Sequence, residues 1–168
     1  ISSFLSPSNS TEEIEKGLAS FRGLTHRVEC VGTRGGVEFI NDSKATNIDA
    51  TEKSLEGFPY PVVLILGGKD KGGDFRRLRP LIEKHCLLVM LIGQASDAIA
   101  SQLSGSKVPM LRVVDLTVAV RKGAEILEME NDRGTVLLSP ACASFDMFRN
   151  FEDRGEQFRT AVKEYLGG

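Results

Sequence analysis

Charged and hydroxyl-bearing side chains are concentrated in three short segments, and each segment directly follows an apolar run. The segments are NDSKATN (41–47), GGKDKGGDF (67–75) and SPACASFDMF (139–148). Lysines, carboxylates and hydroxyls in such density suit a phosphate, a sugar or a carboxylate ligand. If the apolar runs are parallel strands, their carboxyl ends meet at one edge of a sheet, where ligands bind. We therefore expect the three segments to form one site.

The first segment has two interpretations. Asp42 can accept hydrogen bonds from ribose hydroxyls, Lys44 can face a phosphate, and Thr46 or Asn47 can supply a short donor. The same composition is typical of a cap at the start of a helix. A cap does not require a lysine, so Lys44 favours the binding interpretation.

The second segment is glycine-rich. Gly67 and Gly68 allow close backbone approach, and Lys69 or Lys71 can reach an anion, with Asp74 capping the next helix. A solvated tight turn explains the same composition. The chain contains neither GxxxxGK[ST] nor GxGxxG, so it has no Walker A motif and no dinucleotide fingerprint.

In the third segment, the small residues 141–143 leave backbone amides uncovered at the start of a predicted helix. The Ser144 hydroxyl lies beside them, and this arrangement suits a carboxylate. Cys142 is a formal candidate nucleophile. The only histidines, His26 and His85, are predicted far from it, which favours a packed thiol.

The elements that position these segments alternate between strands and helices. A β-hairpin is predicted over 27–40, followed by strands and helices in alternation. The later strands are predicted over 61–68, 87–93, 109–114 and 134–140, and the helices over 8–24, 47–58, 74–86, 95–104, 115–129 and 150–166. We expect Pro80 to shorten or kink its helix.

This order predicts an α/β fold, specifically a Rossmann-like three-layer domain. Its sheet should be mostly parallel with about six strands, and the N-terminal β-hairpin should contribute an antiparallel strand. Continuous apolar runs such as PVVLIL indicate strands buried on both faces.

Composition excludes several classes of partner. The 168 residues carry a formal charge of -2, which provides no basic field for nucleic acid or for an anionic membrane. No apolar run approaches the roughly 20 residues that span a bilayer. Cys30, Cys86 and Cys142 form no CxxC pair, which is typical of buried thiols in a reducing cytosol.

The motifs HRVE, FINDSKATN, LGGKDKGGDF and LLSPACASFDMFRNFEDRGEQF occur in an order and spacing that resemble the C-terminal domain of the Mur ligases. The match is closest to the members that add D-glutamate. The resemblance covers about five sixths of the chain. It implies that residues 24–168 form the amino-acid-binding domain, and that residues 1–23 are the tail of a preceding central domain with its linker.

The resemblance also implies site residues. Arg27 and Asp42 are expected to bind ATP, with Asp42 on the ribose, and Lys44 is expected to act as the catalytic residue facing the phosphates. The D-glutamate pocket is implied for Thr46, Lys71, Ser144, the backbone at Phe145, and Phe151. No metal ligand is implied, and Lys69 is expected to be solvated.

The family's full-length enzymes use ATP and Mg²⁺ to join D-glutamate to UDP-MurNAc-L-Ala through an acyl phosphate. The resemblance therefore implies ATP, D-glutamate and UDP-MurNAc-L-Ala as ligands of a longer bacterial cytoplasmic protein with missing N-terminal and central domains. This domain alone is expected to bind no cofactor and to be inactive. A monomer is the default expectation.

Two alternatives stay open at this point. The chain resembles, more distantly, the corresponding domains of other Mur ligases and of folylpolyglutamate synthases, which accept different amino acids. It is also compatible with a non-catalytic module that binds a nucleotide or phosphate. A purely structural domain is disfavoured, because it gives no reason for three charged segments to meet at one sheet edge.

Overall fold

A computed structural model describes residues 26–130 and 132–167. Six strands in these ranges form one sheet in the order β1-β2-β6-β3-β4-β5. The strands are β1 (Glu29–Arg34), β2 (Val37–Asn41), β3 (Val62–Gly67), β4 (Cys86–Ile92), β5 (Met110–Arg112) and β6 (Gly134–Leu138). The helix predicted over 8–24 and the proposed boundary at residue 23 lie outside the described residues.

Only the hairpin departs from parallel pairing within this sheet. β1 pairs with β2 in antiparallel orientation, and the β2–β6, β6–β3, β3–β4 and β4–β5 pairs are all parallel. Gly35 has a φ of 60° in the two-residue connection between β1 and β2, where its lack of a side chain permits the turn. The predicted fold class is confirmed.

Helices cover both faces of the sheet. The helices are α1 (Ile48–Glu56), α2 (Arg79–His85), α3 (Ser96–Gln102), α4 (Leu116–Glu130) and α5 (Phe151–Gly167). One core places α1, α2 and α3 against Leu64 and Leu66 of β3. The other places α4 and α5 against Val63 and Ile65 of the same strand. Alternate residues of a central strand therefore serve two separate cores, as a three-layer fold requires.

Pro80 shortens its helix as expected. A 3₁₀ turn over Phe75–Leu78 precedes α2, and Pro80 lies in the first turn of α2. A proline is tolerated there because amide groups in the first turn have no partner within the helix. The Asp74 side chain accepts a hydrogen bond from the Arg76 amide and caps the 3₁₀ turn.

In the part of the chain that the structure describes, we find no helix with the length and apolar character needed to cross a membrane.

Candidate functional site

The three polar segments form the first loop (41–47), the second loop (67–75) and the third loop (139–148). They meet at the carboxyl edge of the sheet, because β2, β6 and β3 are neighbours and parallel. Backbone hydrogen bonds join the loops directly. The Ala141 amide donates to the Ala45 carbonyl (3.0 Å), and the Lys69 amide donates to the Ala143 carbonyl (2.8 Å). The third loop therefore contacts both of the others, and the arrangement expected from the sequence is present.

Asp42 lies at the base of the first loop and is only 4% exposed. Its Oδ1 accepts a hydrogen bond from the Val28 amide (3.2 Å), and its Oδ2 accepts one from the Ser139 hydroxyl (3.0 Å). Burial raises the pKa of Asp42, and the hydrogen bonds from neighbouring hydroxyl groups oppose that rise. Each carboxylate oxygen has a further lone pair, so Asp42 can still accept hydrogen bonds from a ligand.

A cavity of about 340 Å³ opens beside Asp42. Two of its other lining residues are the predicted ligands Arg27 and Lys44, whose side chains are both exposed. The complete lining is Arg27, Val28, Asp42, Lys44, Ala45, Ala50, Lys53 and Ser54. The structure therefore brings together the three residues that the sequence assigned to ATP and catalysis.

His26 and Asn41 hold the start of this loop, and the sequence did not identify either of them. His26 has a φ of 67° and is 3% exposed. Its carbonyl oxygen accepts a hydrogen bond from the Lys44 amide (2.9 Å), and its Nδ1 lies 2.8 Å from Nδ2 of the buried Asn41. The backbone that precedes Arg27 is thus bonded to the loop that carries Lys44.

Part of the first segment does serve as a helix cap. Asn47 accepts a hydrogen bond from the Ala50 amide (2.9 Å) and caps α1. Asp42 and Lys44 take no part in that cap, so the capping interpretation applies to one end of the segment only.

The second loop presents Lys71 at its tip. Asp70 Oδ1 accepts hydrogen bonds from the amides of Gly72 (2.8 Å) and Gly73 (3.2 Å), and Gly72 has a φ of 81°. This turn leaves the Lys71 side chain exposed beside a cavity of about 250 Å³, which Asn47 and Ala141 also line. The Lys69 side chain is exposed.

Gly67 and Gly68 permit a close backbone approach, as the sequence predicted. These glycines have φ values of 130° and 140°, and a Cβ atom would collide with the carbonyl oxygen of Ile92 or Ala143 respectively. Their close approach in this structure is to the backbone of Ile92 and Ala143. Glycine is required here because β3, β4 and the third loop pack tightly at this point.

The predicted helix start at residues 141–144 is also wrong. Ser144 begins a single turn, in which its carbonyl oxygen accepts hydrogen bonds from the amides of Met147 (3.2 Å) and Phe148 (2.9 Å). The next helix, α5, begins only at Phe151. The Ala141 amide donates to the Ala45 carbonyl, so this amide is not open to a ligand.

Four of the predicted D-glutamate residues lie on the three adjoining loops, and the fifth, Phe151, begins α5. Ser144 is 1% exposed, and its Oγ has no hydrogen-bond partner among the described residues. Phe145 is 66% exposed, whereas Thr46 and Phe151 are half-buried. The lining of the Lys71 cavity includes neither Thr46 nor Ser144.

Arg154 of α5 connects two of the loops and was not identified from the sequence. It is 1% exposed, and its guanidinium group donates to the Ser43 hydroxyl (2.9 Å), the Ser43 carbonyl (2.7 Å) and the Cys142 carbonyl (3.0 Å). Burial lowers the pKa of Arg154 to about 10. Arg154 is therefore a positioning residue that holds the loops of Asp42 and Ser144 together.

Two other kinds of chemistry find no support at this site. Burial raises the pKa of the Cys142 thiol to about 12, which disfavours the thiolate that a nucleophile requires. The described residues contain no group of three His, Cys, Asp or Glu side chains that could hold a metal ion.

The family model described as "Mur ligase, glutamate ligase domain" matches residues 26–142 of the chain. This range contains the first two loops and the start of the third.

Two relatives show how much of a longer protein the chain covers. It is 44% identical over 160 residues to a protein of Acidobacterium capsulatum named UDP-N-acetylmuramoylalanine–D-glutamate ligase, covering 94% of this chain and 33% of the relative. The protein of the same name from Pseudomonas aeruginosa is 47% identical over 151 residues, covering 88% of this chain and 33% of the relative. The chain spans about a third of the length of these curated relatives.

Two solved structures share the fold. MurF from Acinetobacter baumannii superimposes with a TM-score of 0.59 at 17% identity, covering 94% of this chain and 34% of that one. Folylpolyglutamate synthase from Thermotoga maritima superimposes with a TM-score of 0.52 at 16% identity, covering 81% of this chain and 30% of that one.

Proposed function

The chain belongs to the Mur ligase glutamate ligase domain family, and from this we propose that it is the amino-acid-binding domain of a longer ATP-dependent ligase. The proposed reaction joins D-glutamate to UDP-MurNAc-L-Ala. The observation that carries the proposal is the meeting of the Lys44 and Lys71 loops at one sheet edge in a chain that is 44% identical to a D-glutamate ligase. The same relatives favour D-glutamate over the amino acids of other ligases.

The first loop is proposed to hold ATP. Asp42 would accept hydrogen bonds from the ribose hydroxyls, because its carboxylate is fixed by Val28 and Ser139 and still has free lone pairs. Arg27 and Lys44 would attract the phosphates from the same cavity. Lys44 would also stabilise the negative charge that develops while the γ-phosphoryl group is transferred.

The second and third loops are proposed to hold D-glutamate, whose two carboxylates need separate donors. Lys71 would bind one carboxylate, since its side chain is exposed on a turn fixed by Asp70. The unpartnered Ser144 hydroxyl, the Phe145 backbone and Thr46 would contact the remainder, with Phe151 as an apolar wall. For all these groups to contact one ligand, the third loop must open slightly at Ser144, because that residue is buried.

The reaction would proceed in two steps. The γ-phosphoryl group of ATP passes to the carboxylate of UDP-MurNAc-L-Ala, which gives ADP and an acyl phosphate. The D-glutamate amine then attacks the acyl carbon, phosphate leaves, the amine loses a proton and an amide forms. The domain contributes by binding and orienting the nucleotide and the amine. We assign Mg²⁺ no ligand here, because the described residues provide no suitable group.

The rest of the ligase is proposed to supply the triphosphate cradle and the UDP site, in a bacterial cytoplasm. A domain that binds the amino acid and closes over ATP excludes water from the acyl phosphate. We expect the isolated 168-residue chain to release no ADP in a substrate-dependent manner. Such release would overturn this division of roles.

The proposal is tested by phosphate release from the full-length ligase supplied with ATP and UDP-MurNAc-L-Ala. D-glutamate, L-glutamate, L-alanine and diaminopimelate would be compared as amine substrates. We expect stimulation by D-glutamate alone. Stimulation by another of these amino acids would discard D-glutamate as the substrate, and no stimulation by any of them would overturn the ligase proposal.

A further inference from the structure

The cavity beside Asp42 is lined by a second lysine in addition to Lys44. Lys53 lies on α1, nine residues after Lys44 in the chain, and its side chain is exposed. It lines the same cavity as Arg27, Asp42 and Lys44. The sequence predicts only a helical position for Lys53, because nothing in its local pattern distinguishes it from a solvated helical lysine.

The turn of α1 that carries Lys53 lies against the Asp42 carboxylate. Ser54 follows Lys53 directly, is 7% exposed and lines the same cavity. The Ser54 hydroxyl has no hydrogen-bond partner among the described residues. This turn of α1 therefore lines the cavity beside Asp42, and the exposed side chain of Lys53 lies on it.

Three acidic residues share the helix of Lys53: Asp49, Glu52 and Glu56. Lys53 lines a neighbouring cavity with all three, and two of them are paired with an arginine. Arg77 forms ion pairs with Asp49 (2.5 Å) and Glu52 (2.7 Å). Within residues 26–130 and 132–167, Lys53 has no ion pair. The cavity beside Asp42 is lined by three cationic side chains and a single carboxylate, an excess of positive charge that suits the anionic nucleotide as a whole.

The direction of α1 indicates which part of a nucleotide Lys53 faces. Asn47 caps the helix at the carboxyl edge of the sheet, where the Lys44 and Lys71 loops also lie. Lys53 is six residues further along, about 9 Å from Asn47 at the rise of an α-helix. Phosphates that react at the sheet edge would lie near Lys44, so the nucleoside would lie toward Lys53.

We propose that Lys53 is a specificity-determining residue that recognises the ribose of the bound nucleotide together with Asp42. This inference rests on the proposed function. A ribose hydroxyl can donate its proton to one group and accept a hydrogen bond from another. Asp42 accepts from the ribose diol, and the Lys53 ammonium group donates to the oxygen of the 2′-hydroxyl.

The test compares ATP with 2′-deoxy-ATP in the full-length ligase. The measured quantity is the ratio of kcat/KM for the two nucleotides, in the wild type, Lys53→Met and Lys53→Arg. Methionine keeps the aliphatic stem and removes the charge, and arginine keeps the charge. We expect Lys53→Met to lower the preference for ATP by about 5- to 10-fold, mostly through KM, since a hydrogen bond to a charged group is lost. Lys53→Arg should retain most of the preference.

Lys122→Met is the matched control, because Lys122 is exposed on α4 on the other face of the sheet. It should leave the nucleotide preference unchanged. If the wild-type ligase uses ATP and Lys53→Met leaves the nucleotide preference unchanged, the role of Lys53 is overturned and the proposed nucleotide site is not. Failure of Asp42→Asn to raise KM for ATP overturns the proposed nucleotide site itself, and the inference with it.

Discussion

Arg154 donates two hydrogen bonds to Ser43, one from Nε to the hydroxyl group (2.9 Å) and one from Nη2 to the carbonyl oxygen (2.7 Å). Ser43 lies between Asp42 and Lys44, the two residues that we propose bind the nucleotide. Its hydroxyl group donates in turn to the Phe151 carbonyl (2.7 Å). The position of the first loop therefore depends on Arg154, a buried cation of α5 to which we assign no ligand.

Replacement of Arg154 by methionine is expected to destabilise the chain by about 2–4 kcal/mol. The loss arises because the Ser43 and Cys142 carbonyl groups stay buried without their donor. Urea unfolding of the 168-residue chain measures the change in the free energy of unfolding.

Arg149→Met provides the comparison for Arg154→Met. Arg149 is 87% exposed and makes one long ion pair with Asp153 (3.7 Å). Its removal should change the free energy of unfolding by at most about 1 kcal/mol. Equal losses in the two variants would show that the buried hydrogen bonds of Arg154 are not what stabilises the loops.

Asp42 should make the free energy of unfolding depend on pH. Burial raises its pKa above the ordinary value of 3.8, so the folded chain keeps this proton to a higher pH than the unfolded chain. The resulting stabilisation is fully present below pH 3.8 and is lost as the pH rises through the raised pKa of Asp42. Asp42→Asn removes this titration.

We therefore expect Asp42→Asn to gain stability relative to the wild type as the pH increases from about 4 toward 7. Urea unfolding across that range gives the difference in the free energy of unfolding at each pH. A difference that is independent of pH would contradict the assigned direction. The same variant should bind ATP less well in the full-length ligase, because an amide cannot replace the carboxylate as a double acceptor of ribose hydroxyls.

Gly68 and Gly72 should differ in their tolerance of alanine, although both have positive φ values (140° and 81°). A Cβ atom at Gly68 collides with the Ala143 carbonyl oxygen, whereas one at Gly72 meets open space. Gly72→Ala should cost about 1 kcal/mol from backbone strain alone. Gly68→Ala should cost about 3 kcal/mol or more, because the third loop must also shift.

The measurement for this pair is again the free energy of unfolding in urea. Similar costs for the two substitutions would indicate that the contact between the second and third loops is easily displaced. A larger cost for Gly68→Ala would establish that this contact is rigid.

The hydrophobic pattern was sufficient to predict most of the sheet. VVLIL and LLVMLI are continuous apolar runs, and the structure buries β3 and β4 in the centre of the sheet with helices on both faces. The order of charged segments after β2, β3 and β6 then predicted where the loops meet, because parallel strands present their carboxyl ends together.

The residues that hold the loops of the site in place could not be predicted in the same way. Arg154 appears in a charged helical stretch whose local pattern indicates solvent, and its three acceptors belong to residues 43 and 142. Burial of such a cation depends on acceptors up to 111 residues distant in the chain, and no local pattern records them. His26 likewise combines a left-handed backbone with a buried contact between its ring and Asn41, which lies 15 residues away in the chain.

The helix start predicted near Ser144 failed for a related reason. Small residues at 141–143 resemble an open amide row, but the Ala141 amide is occupied by Ala45 of a neighbouring loop. A contact between loops therefore interrupts the amide row at Ala141, and the helix begins only at Phe151.

The measurement that tests the central claim most directly is KM for D-glutamate in the full-length ligase carrying Lys71→Ala, beside Lys69→Ala. Both lysines are exposed on the same loop, but only Lys71 lines the cavity at the sheet edge. We predict that Lys71→Ala raises KM for D-glutamate by about tenfold or more with little change in KM for ATP, since a charge-assisted hydrogen bond to a carboxylate is lost. Lys69→Ala should leave both constants within about twofold. An unchanged KM for D-glutamate in Lys71→Ala, or equal effects of the two substitutions, would contradict the assignment of this loop to the amino acid.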